Sequence, residues 1–250
     1  MSHMCPDARP AKRRQTRRYE KAETLPKSPT GRRGARRSKQ SPAVRTLLGG
    51  WVLNPYLGFL LLFGVGVATL RLEHHLRLTL LWLILLGIVL LYAETGRLRG
   101  SYSLLNLSRG ALVGAIVTLP FYLFARDFFL GTAARLYGVE EWQVLLERAV
   151  FLVPILEESF FRGVVQRERR LLDGALLFGL AQGLYVVATV DVFPVVVAAV
   201  VLGMGLLGLL YGYLYQRHGL TASIACHAVV NFVLFVLPKL ADEIGGLLAF

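Results

Sequence analysis

After Trp51 the chain consists of long apolar runs separated by short polar breaks. A membrane-spanning helix needs about 20 mainly apolar residues, and these runs are close to that length. Hydrophobic residues make up 55% of the 250 residues, which leaves too little polar surface for a water-soluble domain of this size. We therefore predict an all-α, polytopic transmembrane helix bundle of about seven spans. The predicted spans are residues 52–70, 78–94, 104–125, 149–166, 171–190, 192–216 and 221–238, with an amphipathic or interfacial helix at 132–148.

The first 48 residues have a different composition from the rest of the chain. Of the 28 Lys and Arg residues, 14 lie before residue 50, together with many Pro, Ser and Gly residues. This composition predicts a disordered, solvated tail, and the positive-inside rule places it in the cytoplasm. Such a tail can touch anionic lipid head groups, or it can simply fix the topology, which we favour. No nucleic-acid partner is expected because no fold accompanies the charge.

The charges of the connections between the apolar runs also bear on topology. With the N-terminus inside, the basic residues fall mainly on cytoplasmic connections, except for Arg71 and Arg77. The polar start of the chain does not predict a signal peptide, because a signal peptide needs an early, short apolar segment. The short connections favour a bacterial cytoplasmic membrane over an internal eukaryotic one.

A first group of charged residues lies within an apolar region, at Glu157, Glu158 and Arg162. Placing an ionised side chain at mid-membrane costs about 3 kcal/mol, so these three charges require a structural or functional explanation. Glu158 and Arg162 are four residues apart and can pair on one helix face. Glu157 is rotated by about 100° around the helix axis from Glu158 and faces another direction. The alternative is an ion-pair cluster at the membrane surface, since Arg167 to Arg170 follow closely.

Two further polar groups interrupt later apolar runs. His227 and Asn231 are four residues apart and share a helix face, and Gln182 is the polar residue of its own predicted span. A carboxylate that binds a water as a general base, beside an imidazole and an amide donor, is a plausible site for peptide hydrolysis. Helix packing is the alternative role for each polar residue.

These motifs resemble those of the intramembrane glutamic proteases grouped as CAAX proteases and bacteriocin-processing enzymes, also called the Abi family. The family pattern is Glu-Glu-x-x-x-Arg, then Phe-x-x-x-His, then His-x-x-x-Asn. The first motif is present here as Glu157-Glu158-Ser-Phe-Phe-Arg162, and the third as His227-Ala-Val-Val-Asn231. The likeness covers residues 104–238 and leaves out the tail and the first two spans.

The resemblance implies a role for each matching residue. Glu157 is expected to activate the attacking water, with Glu158 and Arg162 supporting and orienting the site. His227 and Asn231 are expected to hold the water and stabilise the oxyanion. The scheme requires no metal or other cofactor. A zinc site stays open as an older interpretation, although one His and no clear third ligand argue against it.

The second motif departs from the family pattern. Phe178 is present, but Gln182 stands where the family has His. Glutamine does not take or deliver a proton near neutral pH, although it can hydrogen-bond a water or an oxyanion. A non-catalytic family member, acting as a scaffold, chaperone or regulator of a membrane partner, is therefore the second hypothesis. A transporter with the acids as an ion site ranks third, because no inverted repeat or broken helix pair is visible.

Composition, hydropathy and the resemblance together predict an organisation, and the resemblance also implies a reaction. The predicted units are a disordered basic cytoplasmic tail (1–48), two N-terminal transmembrane helices (49–103), a family-like protease core (104–240) and a C-terminal end (241–250). The implied activity is that of an intramembrane endopeptidase that hydrolyses a peptide bond by a glutamate-activated water. Its partners are the lipid bilayer and a membrane-anchored or lipidated protein or peptide substrate.

Overall fold

The computed structural model describes residues 54–98, 103–137, 141–188 and 194–248. Within these ranges the chain forms helices and contains no strand, which confirms the predicted all-α fold. The predicted tail at 1–48 lies outside the described residues. The predicted division of the rest of the chain at residues 103 and 240 stays a prediction.

Seven continuous helices make up the described ranges, as predicted from the apolar runs. Two of them, α4 and α7, contain π-helical turns. The helices are α1 (Pro55–Ala68), α2 (His74–Glu94), α3 (Leu104–Tyr137), α4 (142–166), α5 (Leu171–Val186), α6 (Pro194–His218) and α7 (220–248).

Four segments are long and apolar enough to cross a membrane by length and composition. They are His74–Glu94, Leu104–Ala133, Val195–His218 and Leu220–Gly245. The helices α1 and α5 are apolar but shorter, with 14 and 16 residues. The predicted separate helix at 132–148 is instead divided between the end of α3 and the start of α4. The predicted span 104–125 ends at a kink in α3, because Ala125 has non-helical backbone angles, with φ −134° and ψ 24°.

Two helix pairs approach each other closely through glycines spaced four residues apart. A Cβ atom added at Gly110 of α3 would lie 2.0 Å from the Ala222 carbonyl oxygen of α7, and one at Gly114 would lie 2.7 Å from the Cys226 carbonyl oxygen. A Cβ at Gly179 of α5 would lie 2.5 Å from a backbone oxygen of α6. Small residues at this spacing let helix backbones touch in membranes. These contacts hold α3 against α7 and α5 against α6.

Arg77 explains one exception to the positive-inside pattern. Its side chain is fully buried at the N-terminal end of α2 and donates to the carbonyl oxygens of Leu184 at 2.5 Å, Tyr185 at 3.3 Å and Gly66 at 3.3 Å. Leu184 and Tyr185 lie in the last turn of α5, where helical carbonyls have no intrahelical partner. Arg77 therefore caps a helix inside the protein, and its charge is not a topological signal from a loop.

Candidate active site

The two adjacent glutamates lie on the central part of α4, an α-helical segment at Val153–Phe160. π-helical turns at Glu147–Leu152 and Phe161–Gln166 flank this segment. Pro154 lacks an N–H donor, and its ring would crowd the carbonyl of Val150, so the preceding turn widens. The same cause applies in α7, where the π-helical turn Phe232–Val236 precedes Pro238. Wider turns of this kind are frequent at functional sites, where they change the direction of side chains.

Glu158 is a fully buried carboxylate with three partners. Its Oε1 atom lies 3.1 Å from Arg162 Nη1 and 2.9 Å from His227 Nδ1. The Ser223 hydroxyl donates to its Oε2 atom, and the Ser223 Oγ atom also lies 3.1 Å from the Tyr211 carbonyl oxygen. The predicted ion pair between Glu158 and Arg162 is therefore present. Because both Glu158 oxygens have partners, this carboxylate serves to hold other groups in place.

Arg162 connects α4 to α5 and α6. Its side chain is fully buried, and Nη2 donates to the Gly208 carbonyl oxygen at 3.0 Å. The guanidinium carbon lies 4.4 Å from the centre of the Phe178 ring and 5.3 Å from that of Tyr211. These cation–π contacts and the ion pair hold Arg162 inside the protein.

His227 is held in one orientation by contacts on its faces and on one nitrogen. Its ring stacks on Tyr211, with the ring centres 4.8 Å apart and 14° between planes, and the edge of Phe178 approaches at 5.7 Å. Because Nδ1 faces the ionised Glu158, this nitrogen carries a proton and donates it. The other nitrogen, Nε2, lies 3.9 Å from Glu157 Oε2. That distance is too long for a direct hydrogen bond but suits one bridging water.

Glu157 differs from its neighbour because one of its oxygens is unpaired. The Gln182 amide donates to Oε2 at 2.8 Å. Oε1 is buried and accepts no hydrogen bond from any described residue. The Tyr185 hydroxyl interacts with this carboxyl group, but it makes no direct hydrogen bond to either oxygen. Glu157 is therefore the carboxylate with an acceptor available for a reactant.

The four charged or titratable groups of the site can balance their charges with one shared proton. With both carboxylates ionised and Arg162 charged, Glu157, Glu158, Arg162 and a neutral His227 together carry one negative charge. A buried net charge is costly, so one further proton on either Glu157 or His227 stabilises the cluster. Transfer of that proton between these two residues leaves the net charge unchanged.

Asn231 lies one turn beyond His227 but has a different partner from the one predicted. Its side-chain amide donates to the Ala149 carbonyl oxygen at 2.8 Å. Ala149 belongs to the π-helical turn before Val153, where the changed hydrogen-bond pattern leaves this carbonyl available. One amide hydrogen of Asn231 thus fixes α7 against α4. The second amide hydrogen is the one that would contact the reacting atoms.

Sequence reasoning missed Ser223, Tyr185 and Tyr211, although the spacing carried a signal for the first two. Ser223, His227 and Asn231 recur at every fourth position and share one face of α7. Tyr185 follows Gln182 by three residues on α5, which places both on the same face. Tyr211 carried no such signal, because an aromatic residue in an apolar helix does not indicate that its ring stacks on a histidine.

Replacing Ser223 with alanine is expected to lower the free energy of unfolding by about 1–3 kcal/mol, because a buried carboxylate loses a donor. Thermal unfolding of the purified protein in detergent measures the effect. Ser108→Ala is the matched control, since the Ser108 hydroxyl is exposed and binds only the Leu105 carbonyl of its own helix. Equal losses in the two variants would contradict a supporting role for the Ser223 hydroxyl.

The described residues contain no group of three His, Cys, Asp or Glu side chains arranged to hold a metal ion. Among known proteins, residues 140–233 match the family model of the type II CAAX prenyl endopeptidase Rce1-like proteins. This range contains all of the predicted site residues and confirms the predicted family. No curated protein and no solved structure matches the chain. Together with the apolar helices, the match identifies an integral membrane protein.

Proposed function

We propose that the protein is an intramembrane endopeptidase with Glu157 as its general base, on the premise that residues 140–233 match the Rce1-like family model. The observation that carries this proposal is the difference between the two adjacent carboxylates. Glu158 is fully paired, whereas Glu157 keeps its Oε1 atom unpaired, while its Oε2 atom accepts from Gln182 and lies 3.9 Å from His227 Nε2. A base that must take a proton from water needs such an available oxygen.

The proposed reaction needs no net change of charge in the site. Glu157 takes a proton from a water, whose oxygen attacks the carbonyl carbon of the scissile peptide bond. The carbonyl π electrons move onto its oxygen and form the oxyanion. When the oxyanion collapses, the C–N bond breaks and the leaving amine takes the proton from Glu157. The products are a carboxylic acid and an amine, and the carboxylate of Glu157 is restored.

His227 is proposed to stabilise the oxyanion. In the state with the shared proton on His227, Nδ1–H donates to Glu158 and Nε2–H is free to donate to the developing negative charge. Stacking on Tyr211 keeps the ring in this direction. Asn231 supports this arrangement through its contact with α4, and its second amide hydrogen is a further candidate donor to the oxyanion.

The proposed substrate is a membrane-anchored or lipidated protein or peptide. The site is built from residues buried among apolar helices, so a soluble peptide would have to leave water to reach it. The matching family is described by its action on prenylated CAAX proteins, and a lipid anchor of this kind would bring a substrate to the membrane. We further propose a bacterial cytoplasmic membrane, with the N-terminus and its basic tail inside and in contact with anionic lipids.

The protease function is tested with a lipid-anchored peptide reporter in liposomes that contain the purified protein. Wild-type protein is expected to cleave the reporter, and Glu157→Gln is expected to reduce the rate by at least about 100-fold, because the amide cannot accept the proton. Glu94→Gln, an exposed glutamate at the end of α2, is the matched control and should retain the full rate. Equal cleavage by wild type and Glu157→Gln would overturn the proposed mechanism.

The second candidate function is a non-catalytic role as a scaffold, chaperone or regulator of a membrane partner. Gln182 favours it, since an amide that donates to Glu157 cannot exchange protons with it. Gln182→His separates the two functions. If wild type is inactive and Gln182→His cleaves the reporter, the wild-type scaffold is intact and its role is non-catalytic. If wild type cleaves and Glu157→Gln does not, the non-catalytic role is excluded.

A further inference from the structure

Tyr185 lies on the side of Glu157 that the family motifs leave unassigned. It is a buried residue near the end of α5, and its hydroxyl interacts with the Glu157 carboxyl group. Neither Tyr185 Oη nor Glu157 Oε1 has a hydrogen-bond partner within the part of the chain that the structure describes. Buried polar groups are rarely left unpaired, and two of them side by side are satisfied by one small polar molecule that bridges them.

The backbone of Tyr185 is fixed from another helix. Arg77 of α2 donates to its carbonyl oxygen at 3.3 Å and to that of Leu184 at 2.5 Å. A cation at the C-terminal end of α5 also interacts favourably with the helix dipole. Because the guanidinium binds two successive carbonyls, it determines where the last turn of α5 lies and therefore where the Tyr185 ring begins.

A second tyrosine on the same side is held in a comparable way. Tyr137, at the end of α3, interacts electrostatically with both Glu157 and Tyr185. Arg148 of α4 donates to the Tyr137 carbonyl oxygen at 3.2 Å. Two tyrosines that interact with Glu157 thus each lie at a helix end whose backbone carbonyl binds an arginine. The buried and unpaired Tyr185 Oη and Glu157 Oε1 atoms are the two groups that a single water can bridge.

We propose that Tyr185 is a further catalytic residue, which holds the attacking water between its hydroxyl and Glu157 Oε1. The inference rests on the proposed protease function. The Tyr185 hydroxyl donates to the water oxygen, and the water donates one hydrogen to Oε1. One lone pair of the water stays free to attack the substrate carbonyl. Tyr185 keeps its proton throughout, and Glu157 alone receives the proton of the water.

This arrangement gives Gln182 and Tyr185 separate tasks. Gln182 binds Oε2 and so fixes the plane of the carboxylate, which directs Oε1 toward its other side. Tyr185 supplies the second contact that a water needs to be oriented. The pair on one face of α5 therefore positions both the base and the water, although neither side chain exchanges a proton.

The test compares Tyr185→Phe with Tyr92→Phe in the reporter assay. Tyr92 is an equally buried tyrosine of α2 whose hydroxyl has no hydrogen-bond partner among the described residues, so the control removes the same atom from a similar setting. Tyr185→Phe is expected to lower kcat by about 10-fold or more with KM unchanged, which is the range for loss of a buried hydrogen bond. Tyr92→Phe is expected to retain wild-type kcat. A wild-type kcat in Tyr185→Phe would overturn the inference.

Infrared difference spectroscopy provides a readout that does not depend on turnover. The carboxyl band of Glu157 is identified as the band lost in Glu157→Gln. This band is expected to shift in Tyr185→Phe and to stay in place in Tyr92→Phe, because only Tyr185 is linked to the carboxyl group through the water. An unshifted band in Tyr185→Phe would overturn the inference. If wild type cleaves no reporter, the protease function fails while the band still decides whether the Tyr185–water–Glu157 link exists.

Discussion

Replacing Arg162 with methionine is expected to lower the free energy of unfolding by about 3–5 kcal/mol. The substitution keeps much of the length and apolar character of the side chain but removes the charge that faces Glu158 at 3.1 Å. Glu158 and Glu157 are both fully buried, so two carboxylates would remain without a fixed cation. The Gly208 carbonyl would also lose its donor. Chemical unfolding in detergent, or the folded fraction after extraction from membranes, measures the loss.

A second substitution shows whether this loss comes from the unpaired charge. In the double variant Arg162→Met and Glu158→Gln, the buried negative charge is gone, so a large part of the stability should return. Arg217→Met is the control, because Arg217 is exposed at the end of α6 and should change stability little. If the double variant is as unstable as Arg162→Met, the packing of the arginine side chain, and not its charge, explains the effect.

Replacing Gly110 with valine is expected to cost about 3 kcal/mol or more, at the upper end of what overpacking causes. The first added carbon would lie 2.0 Å from the backbone oxygen of Ala222, and a backbone atom cannot turn away as a side chain can. α3 and α7 would have to separate, which would displace the face of α7 that carries His227. Thermal unfolding and reporter cleavage should both decline.

The matched control for this glycine lies on the same helix. A Cβ atom added at Gly131 meets nothing within 4 Å, so Gly131→Val tests the change of residue type without the clash. We expect its unfolding temperature to stay near that of the wild type. Similar losses in both variants would show that glycine is needed in α3 for a reason other than the contact with α7.

The fold and part of the site could be predicted from the sequence because both depend on local spacing. Long apolar runs identify helices whatever their neighbours are, and the four-residue interval between Glu158 and Arg162 identifies their ion pair. Helix ends were less predictable, since the segment 132–148 is not one helix but is divided between the part of α3 after its kink at Ala125 and the start of α4. Arg77 was an exception to the positive-inside pattern that the sequence could not explain, because a buried arginine that binds helix carbonyls has the same sequence signal as one in a loop.

The contacts between helices could not be predicted. Nothing in the local sequence indicates that Ser223 donates to Glu158, that Tyr211 stacks on His227, or that the Asn231 amide binds a carbonyl in a π-helical turn. Each depends on the rotation of one helix relative to another, and the π-helical turns alter that rotation. The resemblance implied roles for the motif residues, but none of its motifs includes a residue on the Tyr185 side of Glu157.

The cap that Arg77 places on α5 means that the region resembling the family is not a self-sufficient module. Residues 140–233 contain every motif side chain, yet the last turn of α5 depends on a guanidinium from residue 77. A graft of the matched region onto another membrane scaffold would leave two carbonyls next to the site without their donor. The smallest unit that can be transferred to another protein therefore includes the N-terminal helix pair. An exchange of active sites between relatives has to include α2 together with the motifs.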